Sequence, residues 1–368
     1  MHVIDSLARG GAERMLVDIA NATAADGVQV SVCVTRSGLD LVDSLYPTIR
    51  LHVMDRRWRF DVPGLVRFVK LLRSAGVGLL HAHSRPTLSL LAFCRALGGP
   101  RVPIVVQDHF GGIHRDNSIP RWFRWSAGRY VAHYVGVCEE LGAWALRAGM
   151  PGDRITVIEN ALDLGRVSAA SSSSVRAEFH LDQDCLVGVV VGGVRPDKGL
   201  DVLLEALARV PATQPFKILV VGKEQDVQYA RECRQKVRDL RLDDRIVFTG
   251  ERRDAAALMR GADFAVIPSR SESGPLVLIE CLASNLPVVW TLTGGVAQRA
   301  AALCVPGSVA PGSSVALGDG LRALLALSDE ERRARGELGG RIAREQFSIK
   351  AVMPRWYQVY ERALTAGV

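Results

Sequence analysis

No stretch of this sequence comes near the ~20 consecutive apolar residues that a membrane-crossing helix needs. The longest apolar runs, such as Leu186 to Val194, have the length of buried strands. Met1 is followed by no basic region and Asp5 comes early, so the amino end does not read as a secretory signal. The seven cysteines (33, 94, 138, 185, 233, 281 and 304) form no CxxC pair, and their number is odd. Thiol–disulfide and zinc frameworks are therefore disfavoured, and scattered reduced thiols in a cytoplasmic protein fit best. The full GxGxxG fingerprint is missing, which counts against a Rossmann dehydrogenase. No DxD pair sits on a strand-end loop, so no metal site is indicated. Lysine is scarce: six of the 46 basic residues are lysine and the rest arginine.

What is present bounds the class. A chain of 368 residues suits two domains of about 150 to 200 residues each. Hydrophobic residues at 48% and charged residues at 23% are the balance of an ordinary globular protein. The net charge of +7 and isoelectric point near 9.2 call for an anionic partner such as a nucleotide diphosphate, an acidic lipid surface or nucleic acid. An arginine-biased coding sequence explains the same excess equally well.

Short β runs alternate with amphipathic helices. Val28, Val30, Val32 and Val34 alternate as a strand does. Before them Met15, Leu16, Ile19, Ala20 and Thr23 share one helical face, which Gly27 closes. Further strands are expected at 78–83, 103–107, 134–137 and 155–158. The serine-rich segment 167–175 has no periodicity and reads as the loop leaving a first domain. Strands then resume at 186–191, 217–221, 245–248, 264–267 and 287–290. The spacing gives two Rossmann-like units with parallel sheets, at 1–167 and 176–346, and a closing helix within 347–368. Ligands of such folds bind outside the carboxyl ends of the strands, here in a cleft between the units.

Four strand-to-helix loops carry chemistry. In SRSESGPLVLIECLASNLPVV, from Ser269, a strand ends, a loop follows and a helix begins near Pro275, a residue whose missing N–H suits a first turn. The backbone from Gly274 to Leu278, which includes Pro275, Leu276 and Val277 and follows Ser273, is suited to a phosphate through free N–H groups and the helix dipole. Glu272 then lies near a sugar on that phosphate, and Glu280 is placed to accept from a ribose diol. Taken alone, a solvated loop acid and a surface helix acid explain the segment as well. In VVVGGVRPDKGLDVLLEAL, Arg195 and Lys198 put two cations on a loop suited to a diphosphate; a solvated basic turn is the alternative. In LARGGAERM, Gly10 and Gly11 let the backbone approach a ligand. In PIVVQDHFGG, His109 follows a buried strand, a place where a lone histidine is often structural.

These segments resemble glycosyltransferase family 4. The first looks like the family's E-x7-E motif with the following A-x-x-x-P-V-V and a later TGG. The resemblance implies that Glu272 lies by the donor sugar and Glu280 binds the nucleotide ribose; Gln298 stands where the family has a further glutamate, and no role is assigned to it. The second resembles the family's G-R-x-x-x-x-K-G loop, with Gly193 at the usual arginine position and Arg195 two residues on. The Gly10–Gly11 loop resembles the one facing the leaving phosphate and the acceptor, and His109 corresponds to a histidine near the reacting carbon. His81 and His83 read as loop-orienting residues. ITVIENALD resembles I-x-N-G-V-D with Ala161 for glycine. VVGKE resembles the loop against the nucleotide, through Gly222, and Glu251 falls near the base.

The resemblance implies a GT-B fold whose last helix returns to the first domain. It implies a retaining, metal-independent glycosyltransferase that needs no cofactor. Its donor is a UDP or GDP sugar and its acceptor a saccharide or lipid-linked saccharide, in bacterial surface-polysaccharide assembly. His109, Glu272 and Lys198 are the catalytic set. Nucleic acid is not an expected partner. The basic aromatic stretches 119–130 and 56–59 fit either an anionic membrane surface, with the protein peripheral at its inner face, or packing on the domain. A sugar-nucleotide 2-epimerase of the same architecture and a non-catalytic binding subunit remain open at this stage.

Overall fold

The computed structural model describes residues 1–56, 61–113, 118–169, 175–211 and 215–366. Arg57, Trp58 and Arg59 of one basic aromatic stretch, and 170–174 of the serine-rich loop, lie outside the described residues. The chain divides into two compact units, one of residues 1–162 with 349–368 and one of residues 163–348.

The first unit is built on seven strands: β1 (His2–Ile4), β2 (Ser31–Val34), β3 (Arg50–Val53), β4 (Leu80–Ala82), β5 (Ile104–Asp108), β6 (Val131–Gly136) and β7 (Ile155–Val157). They lie in the order β3-β2-β1-β4-β5-β6-β7, and every pairing is parallel. The second unit has six: β8 (Leu186–Val191), β9 (Phe216–Val221), β10 (Ile246–Gly250), β11 (Phe264–Ile267), β12 (Val288–Thr291) and β13 (Ser308–Val309). Their order is β10-β9-β8-β11-β12-β13, again all parallel. Each sheet therefore reverses its strand order once, between β1 and β4 and between β8 and β11. Loops that leave neighbouring strands at such a reversal diverge to opposite faces and open a crevice.

The local sequence explains the elements. The helix Gly11–Ala25 buries Met15, Leu16, Ile19, Ala20 and Thr23, and Gly27 follows it at φ 83, a conformation that glycine adopts without strain. The helix Asp329–Gln346 opens on a capping box in which Ser328 and Glu331 satisfy each other's backbone N–H. Two edge strands, β3 and β13, are absent from the sequence reading. Burial shows why for β3: its residues are half-buried or exposed, so no apolar alternation marks it. The valine alternation starts as strand only at Ser31, and Val28 is half exposed before it.

The helix Ile349–Thr365 belongs to the first unit. Val352, Met353, Trp356 and Val359 pack there with Met15, Ile19, Val105 and Val135. In the helix Arg121–Tyr130, Phe123 is fully buried and meets Trp144 edge-on at 4.5 Å, whereas Trp125 is 52% exposed among exposed arginines. That stretch packs through one face and leaves the other in solvent. No helix of the described residues is long and apolar enough to cross a membrane.

Histidines form a polar seam in this first core. His2, His81 and His83 are buried, with His2 Nδ1 2.9 Å from His83 Nε2 and His81 Nδ1 3.0 Å from the Tyr360 hydroxyl. Among the described residues theirs is the group whose ring nitrogens converge to within 4.8 Å, the one donor set of metal-ligand type. Burial, and then the neighbouring rings, hold all three well below the ordinary imidazole value. They are neutral when folded but take protons when unfolded. The unfolded chain thus binds more protons below pH 6.5, and each such histidine removes about 1.4 kcal/mol of stability per pH unit there. Thermal unfolding followed from pH 8 to 5 should show a midpoint that falls more steeply below about 6.5 than above it, ahead of any carboxylate titration. A midpoint flat to pH 5 would contradict a neutral histidine core.

Candidate functional site

The second unit gathers its motif residues where β8 and β11 lie side by side. After β8 the chain turns through Gly192 and Gly193, then a single 3-10 turn at Pro196–Lys198, and enters the helix Leu200–Leu207 from Gly199. After β11 it runs through Pro268 to Pro275 into the helix Leu276–Ala283. Lys198 Nζ lies 2.6 Å from Glu272 Oε1, and Ser269 Oγ donates to the same oxygen at 2.8 Å. Thr291, at the end of β12, donates to the Ser269 carbonyl at 2.6 Å. A small pocket here is walled by Gly192, Gly193, Lys198, Ser269, Glu272 and Val277.

Backbone approach sets this geometry. Gly199 has φ 66, and a Cβ there would stand 2.1 Å from the Pro268 carbonyl oxygen. A Cβ on Gly222, after β9, would stand 1.9 Å from the Gly192 carbonyl oxygen. Gly294 packs in the same way on the Ser273 backbone, and Gly295 N–H donates to the Ser273 carbonyl at 2.8 Å. Four chain segments thus meet with no side chain between them.

A clamp that sequence reasoning missed locks two of the loops. Arg270 donates to both carboxylate oxygens of Asp201, at 2.5 and 2.6 Å, and to the Pro196 carbonyl at 3.0 Å. Tyr229 donates to Asp201 as well, at 2.5 Å. Burial opposes ionisation of Asp201, but the hydrogen bonds from Arg270 and Tyr229 outweigh it and hold the carboxyl below its usual value. The only sequence signal was an Asp at the first turn of one helix and an Arg beside Glu272, with nothing to pair them.

The remaining expected residues fall as follows. Arg195 is partly exposed, and its Nε is 3.0 Å from Asp197 in a local ion pair. Pro275 stands one position before the first helical residue, no side chain caps that helix, and Leu276 and Val277 form its first turn. Glu280 lies within the helix and is half-buried. Ser273 and Gly274 lie in the loop at the helix entrance.

In the first unit, Gly10 caps and Gly11 begins the helix Gly11–Ala25. The carboxylate of Glu13 curls back against this turn, so that a Cβ on Gly10 would meet it at 2.3 Å. Burial, against its own backbone N–H and Ser6, raises the Glu13 carboxyl above its usual value. This helix start is closed by the chain's own acid. His109 follows β5, and burial pushes its imidazole down to about 4 against the opposing pull of Asp108, so it is neutral at pH 7. Asp108 is fixed by Arg85 Nε and the Tyr134 hydroxyl, each at 2.6 Å, and accepts from Phe110 N–H at 3.0 Å. His83 stacks within 6.3 Å of His109 at an interplanar angle of 12°. Beside these residues a cavity of about 750 Å³ opens in the first unit, which no sequence motif announced.

A family model described as Glycosyltransferase Family 4 matches residues 9–166, and one described as Glycosyl transferases group 1 matches residues 186–326. D-inositol 3-phosphate glycosyltransferase of Mycolicibacterium smegmatis is 33% identical over 171 residues, 45% of this chain and 37% of that one. The chain therefore matches little more than a third of that relative's length. N-acetyl-alpha-D-glucosaminyl L-malate synthase of Bacillus anthracis is 24% identical over 342 residues, 88% of this chain and 87% of that protein. Among solved structures, Anabaena HepE in complex with UDP superposes with TM-score 0.81 at 21% identity, covering 98% of both chains. A glycosyltransferase from Rickettsia africae ESF-5 gives 0.81 at 17% identity, covering 99% of this chain and 98% of that one. At such identities the likeness is one of fold.

The glycine contacts generate a stability prediction. Gly222→Ala drives a Cβ into the Gly192 backbone and should lower stability by about 1 to 3 kcal/mol. Gly128→Ala is the control, since its Cβ meets nothing within 4 Å inside the helix Arg121–Tyr130; it should be neutral or stabilising by about 0.5–1 kcal/mol. Urea unfolding of both variants checks this, and equal midpoints would remove the close-packing argument.

Proposed function

The chain belongs to glycosyltransferase family 4, and on that premise we propose that it moves a sugar from a nucleotide-diphosphate sugar to an acceptor hydroxyl with retention of anomeric configuration. The observation that carries the reading is the Lys198–Glu272 pair at 2.6 Å, on adjacent loops where the second sheet reverses its strand order. A lysine and a helix start are there to meet a diphosphate, and the acid beside them to meet the sugar. The ligands of fold neighbours support a uracil nucleotide: the HepE structures were determined with UDP and with UDP-glucose. Donor-side residues are Lys198, Arg195, Gly11, Gly222, Ser273 to Val277, Glu272 and Glu280; His109 serves the reacting carbon of the donor sugar.

The reaction proceeds in one balanced exchange. The bond between the anomeric carbon and the leaving phosphate oxygen breaks, and a bond from the acceptor oxygen forms on the same face. The acceptor proton passes to the departing phosphate, releasing a glycoside and a nucleoside diphosphate. Lys198, freed from Glu272 by the arriving phosphate, and Arg195, freed from Asp197, stabilise the charge that grows on the leaving group. Neutral His109 donates or accepts one hydrogen bond without adding charge. This is also why the mechanism is proposed as metal-independent: two cations and a helix start occupy the place of a carboxylate-bound ion. The acceptor is proposed as a saccharide or lipid-linked saccharide of bacterial surface-polysaccharide assembly. The exposed Trp125 with Arg121 and Arg124 would then rest on an anionic membrane surface.

Three measurements test the reading. Lys198→Ala should lower kcat/KM for the donor by about tenfold or more, since loss of one preorganised charge-stabilising group typically costs roughly 3 kcal/mol. Unchanged kcat/KM would remove Lys198 from the mechanism. Proton NMR of the product should show the donor's anomeric configuration, and an inverted product would refute same-face substitution. Sedimentation with anionic vesicles at low salt should pull down the protein, and Trp125→Ala should weaken it; no sedimentation would end the membrane proposal.

A further inference from the structure

The cavity of the first unit holds more positive charge than its own acids balance. Among the described residues its wall includes Arg36, Arg56, Arg85 and one carboxylate, Asp108. Asp108 is spent on Arg85 at 2.6 Å and on Tyr134. Arg56 is almost fully buried, with 5% of its side chain exposed, and its ion-pair partner Asp5 is at 3.4 Å. That distance is long for a charge-assisted bond, and Asp5 Oδ1 also accepts from Thr35. Among the described residues no carboxylate lies within ion-pair distance of Arg36. Two guanidinium N–H groups on this wall, Arg56 Nε and Arg85 Nη2, are buried without a hydrogen-bond partner. Buried donors left unsatisfied in a folded protein are costly, and guanidinium groups match the oxygens of phosphate and carboxylate.

The rest of the wall is apolar and aromatic. Phe110 is 37% exposed and lies 4.6 Å from the Arg85 guanidinium, Phe93 is 39% exposed, and Trp122 is half-buried. Ser84 and Ser89 add hydroxyls, and His109 reaches the same space. A volume of about 750 Å³ is that of a site for one small molecule or the end of a larger one.

We propose that this cavity selects an acceptor carrying a phosphate or carboxylate, which Arg56 and Arg36 hold while an apolar face of the same molecule lies on Phe110 and Trp122. The inference rests on reading the first unit as the acceptor side, and it narrows that acceptor to an anionic one. Arg85 is a positioning residue: bound to Asp108 and stacked 3.6 Å over Trp144, it fixes the loop that carries His109. Neutral saccharides leave the buried N–H groups unpaired and are rejected for that reason.

Calorimetric titration of the full chain tests this with four probes: glucose, glucose 6-phosphate, glucuronate and dodecyl phosphate. At least one anionic probe should bind about tenfold or more tightly than glucose, and its affinity should fall with salt. Binding by the sugar phosphate or glucuronate points to a soluble anionic acceptor, and binding confined to dodecyl phosphate to a lipid-linked one; both uphold the proposal. Arg36→Gln, at an exposed position, should weaken that probe several-fold. Arg56→Gln should weaken it further and Arg56→Lys partly restore it. The proposal is overturned if no anionic probe exceeds glucose, or if Arg36→Gln and Arg56→Gln both bind like the parent. A parallel titration with UDP separates the two readings. UDP binding without anion selectivity overturns this inference alone, whereas anion selectivity without UDP binding overturns the donor-site reading and leaves this one standing.

Discussion

The second unit depends on how closely its backbone segments can approach where β8 and β11 meet. Gly199, Gly222 and Gly294 each abut a neighbouring main chain at a distance that excludes a Cβ. Because those segments touch directly, the loops they begin emerge side by side. Lys198 and Glu272, 74 residues apart in sequence, then reach 2.6 Å. The clamp of Arg270 on Asp201 holds the same two loops from the outside. Packing is the cause here and electrostatics its consequence.

The first unit solves a different problem. Its interior admits five neutral histidines (2, 81, 83, 109 and 133) and its crevice several arginines, so the unit must keep protons off the former and supply acids to the latter. Burial does the first, holding the imidazoles uncharged well below pH 7. The second is done only in part. Asp108 fixes Arg85, and Asp5 reaches Arg56 weakly. A crevice left net positive attracts an anion from solution, which is a functional property bought with stability.

The donor side was legible in the sequence because its chemistry is local. Lys198 follows a Gly pair at the end of a run of valines, and Glu272 follows FAVIP; each loop announces itself by strand, turn and helix start. Parallel strands buried on both faces read as apolar runs, so β8 and β11 were placed to the residue. The clamp was not legible, since Asp201, Tyr229 and Arg270 come from three elements and no spacing relates them. Nor was the arginine crevice. Arg36, Arg56 and Arg85 follow three different strands of the first sheet, and only the order β3-β2-β1-β4 brings those strand ends to one edge. Edge strand β3, needed to place Arg56, shows no alternation because none of its residues is fully buried.

The two glycine-led helix starts sharpen the contrast between the units. Both Gly10–Gly11 and Gly274–Pro275 read in sequence as places for a phosphate. In the structure the carboxylate of Glu13, three residues into its own helix, lies against the first, while Lys198 lies in the pocket beside the second. An anionic ligand at the first start would meet a like charge and would have to displace it or leave Glu13 protonated, a form that burial already favours. At the second it meets Lys198 instead. The same local motif thus carries an acid of its own in one unit and a lysine beside it in the other. Anion recognition in the first unit therefore has to come from side chains, and the arginines of its crevice are the groups available to provide it.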